Sequence, residues 1–343
     1  MPRIKKVLAV ETSCDDTSVA IVDHNGFVYF CESQNQDALH EPFGGIVPEI
    51  AGRNHTHHLL PLIDMALKTE PKGWEAIDAF AVTHRPGLVG SLLVGVVTIK
   101  SLALALSKPF IGVNHLEGHL LAPFLRDAHY QPLENFNFPF VALAVSGGHS
   151  SLYKVSGLGQ YEVLGRTVDD AAGEAFDKFA KMVGLGFPGG ALVDKKAKLG
   201  RRDAFAFPRA MLHQDNLNFS FSGLKTAALK VVQSMTVNQL QSSLVDLCAS
   251  YQEAIVDALI KKLEMALDQT KLDHFVITGG VSANSRLRER AEELAKKRGF
   301  ALIVPPLRYC TDNAAMIAYA GIQRLNRGEE SEDHMGVSPE VTI

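Results

Sequence analysis

The polarity pattern divides the chain into short apolar runs and longer amphipathic stretches. Residues 7–10, 19–22 and 27–31 are apolar runs of strand length. They are parted by the polar residues 11–16 and by the turn sequence Asp23-His24-Asn25-Gly26. The plan repeats at 140–145, 151–155 and 161–164, with Ser146-Gly147-Gly148-His149 as its first turn. Each copy feeds a helix, one starting near Pro48 and the other near Thr167. Two such meanders, about 135 residues apart, predict a duplicated two-lobed α/β architecture whose natural ligand site is the cleft between the lobes. The lobes are expected at 1–112 with 309–343, and at 113–308.

The longer stretches predict helices and buried strands. Around 168–183, Ala172, Ala175, Phe176, Phe179 and Val183 share one helical side. Asp170, Glu174, Asp177 and Lys181 share the other, with Asp177 and Lys181 spaced as an ion pair. A long amphipathic helix is expected over 243–267. A strand at 275–278 then runs through Gly279-Gly280-Val281-Ser282-Ala283-Asn284 into a helix over 286–298, capped by Asn284 or Ser285. That layout presents free N–H groups to a nucleotide. Residues 302–304 read as a strand and 314–321 as a helix of small residues, and the acidic tail beyond Gly328 is expected to be loose. Residues 88–106 carry only Lys100 as a charge. Their glycines and serines, after the Pro86-Gly87 turn, fit a buried helix of a soluble protein better than a membrane span.

Composition changes this picture little. The chain has 343 residues, 46% hydrophobic and 21% charged, enough for a two-domain soluble enzyme. A net charge of −4 excludes general electrostatic attraction to nucleic acid, so such a partner needs local basic patches or a second protein. The densest patch is Lys195, Lys196, Lys198, Arg201 and Arg202, the first choice for a phosphate-backbone contact. Lys225 fits an anion contact or a surface lysine equally. Cys14, Cys31, Cys248 and Cys310 have no C-x-x-C spacing and suit a reducing cytosol. The apolar run after Lys5-Lys6 stops at Glu11, too short for a signal peptide.

The chemistry concentrates at His115 and His119. Residues four apart on a helix lie about 40° apart, so both imidazoles can face one ion. Asp312, at the start of the 314–321 helix, offers the carboxylate of a two-His, one-carboxylate site with open positions. Spacing alone leaves the alternatives standing, with exposed or capping histidines and an aspartate that caps its helix. Glu117 follows His115 by two residues and points about 200° away, unlike the general base of H-E-x-x-H proteases. The cluster His55-Thr56-His57-His58 reads as surface helix.

Several stretches together resemble one family. They are Glu11-Thr12-Ser13-Cys14-Asp15-Asp16, Pro86-Gly87-Leu88-Val89-Gly90, His115-Leu116-Glu117-Gly118-His119 and Val145-Ser146-Gly147-Gly148-His149. The runs 169–178, 219–226 and 279–284 and Cys310-Thr311-Asp312-Asn313 complete the set. From residue 7 to about 338 the chain resembles the bacterial TsaD family. The resemblance implies an actin/hexokinase/Hsp70-like (ASKHA) fold with an interlobe cleft. It implies transfer of threonylcarbamoyl from threonylcarbamoyl-AMP to the N6 amine of the adenosine 3′ of the anticodon, in tRNAs reading codons that begin with A. It also implies one divalent metal, Fe(2+) or Zn(2+), on His115, His119 and Asp312. Substrate contacts are implied at Val145, Ser146, Gly147, Gly148, Asp177, Gly190, Asp194 and Asn284. Glu11 and Asp15, on the first hairpin turn, are the candidate catalytic groups near the metal. The implied partners are a TsaB-like paralogue, a TsaE-like ATPase, a TsaC-type enzyme that supplies the adenylate, and the tRNA anticodon loop, all in the cytoplasm and without a membrane. Asn54, and His84-Arg85 ahead of Pro86, depart from the common family pattern.

Three other functions compete. An ATPase or phosphotransferase of the same architecture uses similar hairpin turns, but Mg(2+) prefers oxygen ligands to histidine. A metalloprotease is disfavoured by the position of Glu117. A non-catalytic assembly subunit would tolerate loss of His115 or Asp312.

Overall fold

Val7, Leu8, Ala9 and Val10 are all buried in β1 (Lys6–Glu11) of the computed structural model, which describes residues 3–212, 214–341 and 343. A strand covered on both faces must be apolar throughout, and β1 occupies the middle of its sheet. It runs antiparallel to β2 (Thr17–Asp23), which pairs antiparallel with β3 (Val28–Gln34). After the short α1 (Asp37–His40), α2 (Pro48–Lys68) crosses to β4 (Ala79–Arg85), parallel to β1. Helix α3 (Val89–Leu106) then crosses to β5 (Phe110–Asn114), giving the order β3-β2-β1-β4-β5. Parallel neighbours require such crossovers, and the apolar faces of these helices cover the sheet. Helix α3 packs on one side only. Leu92, Val96, Ile99 and Ala103 are buried while Val89, Leu93, Val97 and Leu104 are exposed. Its close approach to β1 needs Gly95, where a Cβ would lie 2.6 Å from Thr12 Oγ1. Helix α4 (His115–Leu121) follows β5 without a loop.

The second sheet repeats the first. β6 (Phe140–Val145), β7 (Ser150–Gly157) and β8 (Gln160–Arg166) form the antiparallel meander. After helices α5 (Ala172–Met182), α6 (Gly189–Ala197), α7 (Ser222–Gln233) and α8 (Val237–Thr270), β9 (His274–Thr278) pairs parallel with β6. Helix α9 (Ser285–Arg298) leads to β10 (Ala301–Ile303), giving β10-β9-β6-β7-β8, the same topology strand for strand. Its core holds Phe176, Phe179 and Tyr251, the last two stacked with ring centroids 4.0 Å apart. Helix α5 starts later than the apolar spacing predicts because Asp169 is engaged elsewhere. Its carboxylate accepts from the Ser220 and Ser222 hydroxyls and the Phe221 N–H, at 2.5–2.8 Å. Helix α8 starts earlier than predicted, on a Thr236/Gln239 capping box, because its first turns are mostly exposed and carry no apolar period.

The chain then passes α10 (Leu307–Cys310) and enters α11 (Ala314–Leu325). Contacts divide it into one unit reaching Phe136 and resuming at Arg308–Ile343, and a second, Asn137–Leu307. The division therefore falls at 136/137 instead of 112/113. Residues 113–136 stay with the first unit because β5 belongs to its sheet and α4 lies against α11. At Gly118 a Cβ would stand 2.9 Å from both Ile317 Cδ1 and Met316 Cγ. Residues 331–338 of the tail are also not loose. Met335 and Val337 pack on the first unit's core, and Ser331 N donates to Phe110 O at 3.0 Å. The acidic residues among them hid these two apolar anchors.

Candidate functional site

Two helix starts meet at the histidine pair. Asn114 caps α4 by accepting from Leu116 N (2.8 Å), and Asn313 caps α11 by accepting from Met316 N (3.0 Å). Because Asn313 takes the capping role, the Asp312 carboxylate is free to face the histidines. Its Oδ1 lies 3.1 Å from His119 Nε2 and 3.4 Å from His115 Nε2. The rings stand at 89° with centroids 4.7 Å apart, and one donor atom from each of the three residues lies within 4.8 Å of the others. Two imidazoles and one carboxylate, converging from one side, suit a divalent first-row ion and leave coordination positions open.

Glu11, at the end of β1, backs this centre. Its Oε2 is 3.1 Å from His115 Nδ1, with Ser13 Oγ at 3.2 Å from the same nitrogen. The Thr83 hydroxyl donates to Oε2 and Ser13 N donates to Oε1 at 2.5 Å. Glu11 is 1% exposed, so its oxygens serve neighbours and not solvent. Accepting from Nδ1–H, it turns Nε2 of His115 toward Asp312, the usual carboxylate–histidine support of a metal ligand. Burial pulls the His115 imidazole down, but Asp312 and Glu11 outweigh it and hold the ring well above its ordinary value. Burial lowers His119. Burial would raise Glu11, and the His115 charge brings it down instead. The two carboxylates thus favour the charged form of His115, and burial favours the neutral form of His119. Burial and the Asp312 charge raise Asp15, and the same causes push Asp16 up to about 8. Neither joins the three converging donors.

Glu117 is buried on the other side of α4, with Oε2 3.4 Å from Arg324 Nη1, so it does not serve the pair as a protease-type base. His55 was expected on a surface helix but is fully buried. Its Nε2–H donates to Cys14 O (3.0 Å), leaving Nδ1 to accept from the Thr17 hydroxyl (2.8 Å), so it pins the 11–16 turn. The signal was present in the sequence, since His55 shares the i, i+4 stripe of Ala51, Leu59 and Ile63.

Of the residues predicted to meet an adenylate, Val145 to Gly148 and Asn284 lie at or beyond the C-terminal ends of β6 and β9, and Asp177, Gly190 and Asp194 lie on α5 and α6 of the same unit. Val145 ends β6, and Ser146 N donates to His149 O (2.8 Å), which leaves Gly147 and Gly148 exposed in a tight turn. Gly279 has φ +88° and approaches so closely that a Cβ would lie 2.3 Å from Val145 O. Asp177 accepts from Gly189 N at 2.7 Å, and Gly190 has nothing closer than 3.9 Å to a built Cβ. Asp194 holds the head of α9 through Ser285 Oγ (2.8 Å) and Ser285 N (3.3 Å). Asn284 caps α9 at Leu287 N (3.0 Å) and donates to Gln252 Oε1 (2.7 Å). Strand ends, exposed glycine backbone and a helix N-terminus suit a phosphate-bearing ligand.

Three of the five basic-cluster side chains are ion-paired. Arg201 pairs with Asp246 (3.0 Å), Arg202 with Glu289 (3.3 Å) and Lys198 with Asp194 (3.5 Å). Lys225 faces Asp170 at 3.6 Å. These partners, remote in sequence for the arginines, offset part of the cluster's charge.

A family model described as TsaD, tRNA N6-adenosine threonylcarbamoyltransferase, matches residues 28–319. A tRNA N6-adenosine threonylcarbamoyltransferase of Bdellovibrio bacteriovorus is 58% identical over 98% of this chain and 98% of its own length. One from Anaeromyxobacter dehalogenans is 50% identical over 97% and 98%. Among solved structures, (R)-2-hydroxyglutaryl-CoA dehydratase component A of Acidaminococcus fermentans superposes with a TM-score of 0.52. The match covers 93% of this chain and 98% of that one at 14% identity. That likeness, with the repeated sheet topology, gives the two-lobed actin/hexokinase/Hsp70-like α/β fold.

Proposed function

The chain belongs to the TsaD family of tRNA N6-adenosine threonylcarbamoyltransferases, and on that footing we propose that it forms threonylcarbamoyladenosine in tRNA with one divalent ion on His115, His119 and Asp312. The transferred group goes to the N6 amine of the adenosine 3′ of the anticodon, in tRNAs reading codons that begin with A, and threonylcarbamoyl-AMP is the donor. N6 attacks the carbamoyl carbon of this mixed anhydride, the carbon–oxygen bond to phosphate breaks, AMP leaves and N6 loses a proton.

The observation that carries the metal assignment is the shared Asp312 vertex, within 3.4 Å of both Nε2 atoms, with Glu11 behind His115. Imidazole and carboxylate donors with open positions favour Fe(2+), with Zn(2+) second, and a bound ion would supply Lewis-acid polarisation of the threonylcarbamoyl group. Glu11 fixes the His115 ring and is a positioning group. Asp15 stays a candidate polar group on the adjoining turn. The open backbone of Gly147 and Gly148 and the head of α9 suit the adenylate end of the donor. The target base sits in a single-stranded loop, so presenting it costs little.

Partners complete the activity: a TsaB-like paralogue, a TsaE-like ATPase and a TsaC-type enzyme, in the cytoplasm. Ion pairing of the basic cluster supports a partner's share in gripping the tRNA. The test is reconstitution with unmodified tRNA, ATP, threonine, bicarbonate and the partner proteins, read by nucleoside mass spectrometry. Threonylcarbamoyladenosine should appear with the wild-type chain and vanish with His115→Ala or Asp312→Ala. No product from the wild-type chain beside partners active with another family member would sink the assignment.

A further inference from the structure

β5 is an edge strand, and the C-terminal segment 331–338 crosses it. Ser331 N donates to Phe110 O (3.0 Å) and Ser331 Oγ accepts from Gly112 N (2.9 Å). Met335 fills the space that Gly112 leaves, since a Cβ there would lie 2.2 Å from Met335 Sδ. Lys100 Nζ of α3 donates to Met335 O at 2.7 Å. Ser338 N donates to His84 O (3.1 Å), and His84 Nδ1 faces Gly336 O (3.4 Å).

The two gripped places are not arbitrary. His84 follows Thr83, whose hydroxyl bonds Glu11. Gly112 lies just before Asn114, the cap of α4, and His115. The segment thus holds the end of β4, which carries the Thr83 hydroxyl that bonds Glu11 of β1, and β5, which leads directly into His115.

We propose that residues 331–338 are a positioning strap for the histidine centre, clamping β4 to β5 so that Thr83 and Glu11 stay against His115. Only the affinity arm of the test rests on the metal assignment above. The full-length double variant Lys100→Met/Met335→Ala removes one anchor and the plug, Met335→Leu keeps the plug, and His84→Ala removes the imidazole's share of the second grip while leaving its backbone hydrogen bond. Hydrogen exchange is read on the ion-free chains, and cobalt(II) chloride titration by visible absorption gives affinity.

In the double variant, amides of 110–121 should exchange roughly tenfold faster, about what one lost interaction of hydrogen-bond size allows. Cobalt(II) affinity should fall by a similar factor. β1, β2 and β6 should keep wild-type exchange, and Met335→Leu should match wild type throughout. Unchanged exchange at 110–121 overturns the strap, and so does an equal rise across β1 and β2, which marks plain destabilisation. Faster exchange with unchanged cobalt(II) affinity overturns its positioning role. If the wild-type chain binds no cobalt(II), the metal assignment fails while the exchange pattern still decides the strap. If the double variant does not fold, His84→Ala is judged by the same exchange criteria.

Discussion

A histidine ligand has two ring nitrogens, and whatever holds the outer one aims the inner one. His115 has Glu11 at its outer nitrogen, whereas the outer nitrogen of His119 is buried without a hydrogen-bond partner among the described residues. Aiming thus depends on Glu11 for one ligand only. Glu11→Gln should leave the fold intact and weaken divalent-ion binding by about 10- to 100-fold, measured by cobalt(II) titration. The charge state adds a pH effect. Asp312 and Glu11 favour the protonated form of His115, and an ion must compete with that proton for Nε2. Calorimetry at pH 7 in buffers of different ionisation enthalpy should report about one proton released per ion. Affinity should fall as pH falls, because acid favours the imidazolium that competes with the ion. Equal heats in all buffers would refute the imidazolium assignment.

Between helices and strands, single residues act as fasteners. Burial alone would raise the Asp127 carboxyl, but the Tyr309 hydroxyl and the Arg308 guanidinium bring it down to about 2, and they tie residues 308–309 to the 127 turn. A depressed carboxylate adds stability above its unfolded value of 3.8, and that stability is lost as pH falls through about 2. Asp127→Asn should therefore cost about 1–2 kcal/mol at pH 5, discounted because Arg308 is half exposed, and almost nothing near pH 2. Urea unfolding at both pH values measures it. Gly279→Ala meets both a φ of +88° and the Val145 carbonyl, and should cost about 2 kcal/mol or more in the same assay. The elements differ in how far the sequence betrays them. Strands β1 and β6 are legible because burial on both faces demands unbroken apolar runs. Asp312 is legible only as two competing readings, ligand or helix cap, because its partner His119 is 193 residues away and the deciding fact is that Asn313 does the capping. Likewise Arg201 and Arg202 look free until Asp246 and Glu289 arrive from other helices.

On the scale of the whole molecule, each unit has its own core. The larger cluster draws only on residues from Val141 to Val304, the other on Leu8 to Phe110 with Met335 and Val337. A fragment of residues 137–307 should therefore unfold as one cooperative transition by circular dichroism, and a broad, non-cooperative melt would contradict that independence. A fragment 1–136 lacks α11, which meets the first sheet where a Cβ on Gly321 would lie 2.6 Å from Ala81 Cβ, and should not fold alone. The first unit thus takes its beginning from one end of the chain and its completion from the other. On the ribosome, residues 137–307 are all synthesised before Asp312 exists, and the strap comes later still. The histidine centre consequently cannot assemble before the second unit has been synthesised, so a translation product truncated ahead of Asp312 can carry a finished second unit and no completed histidine centre.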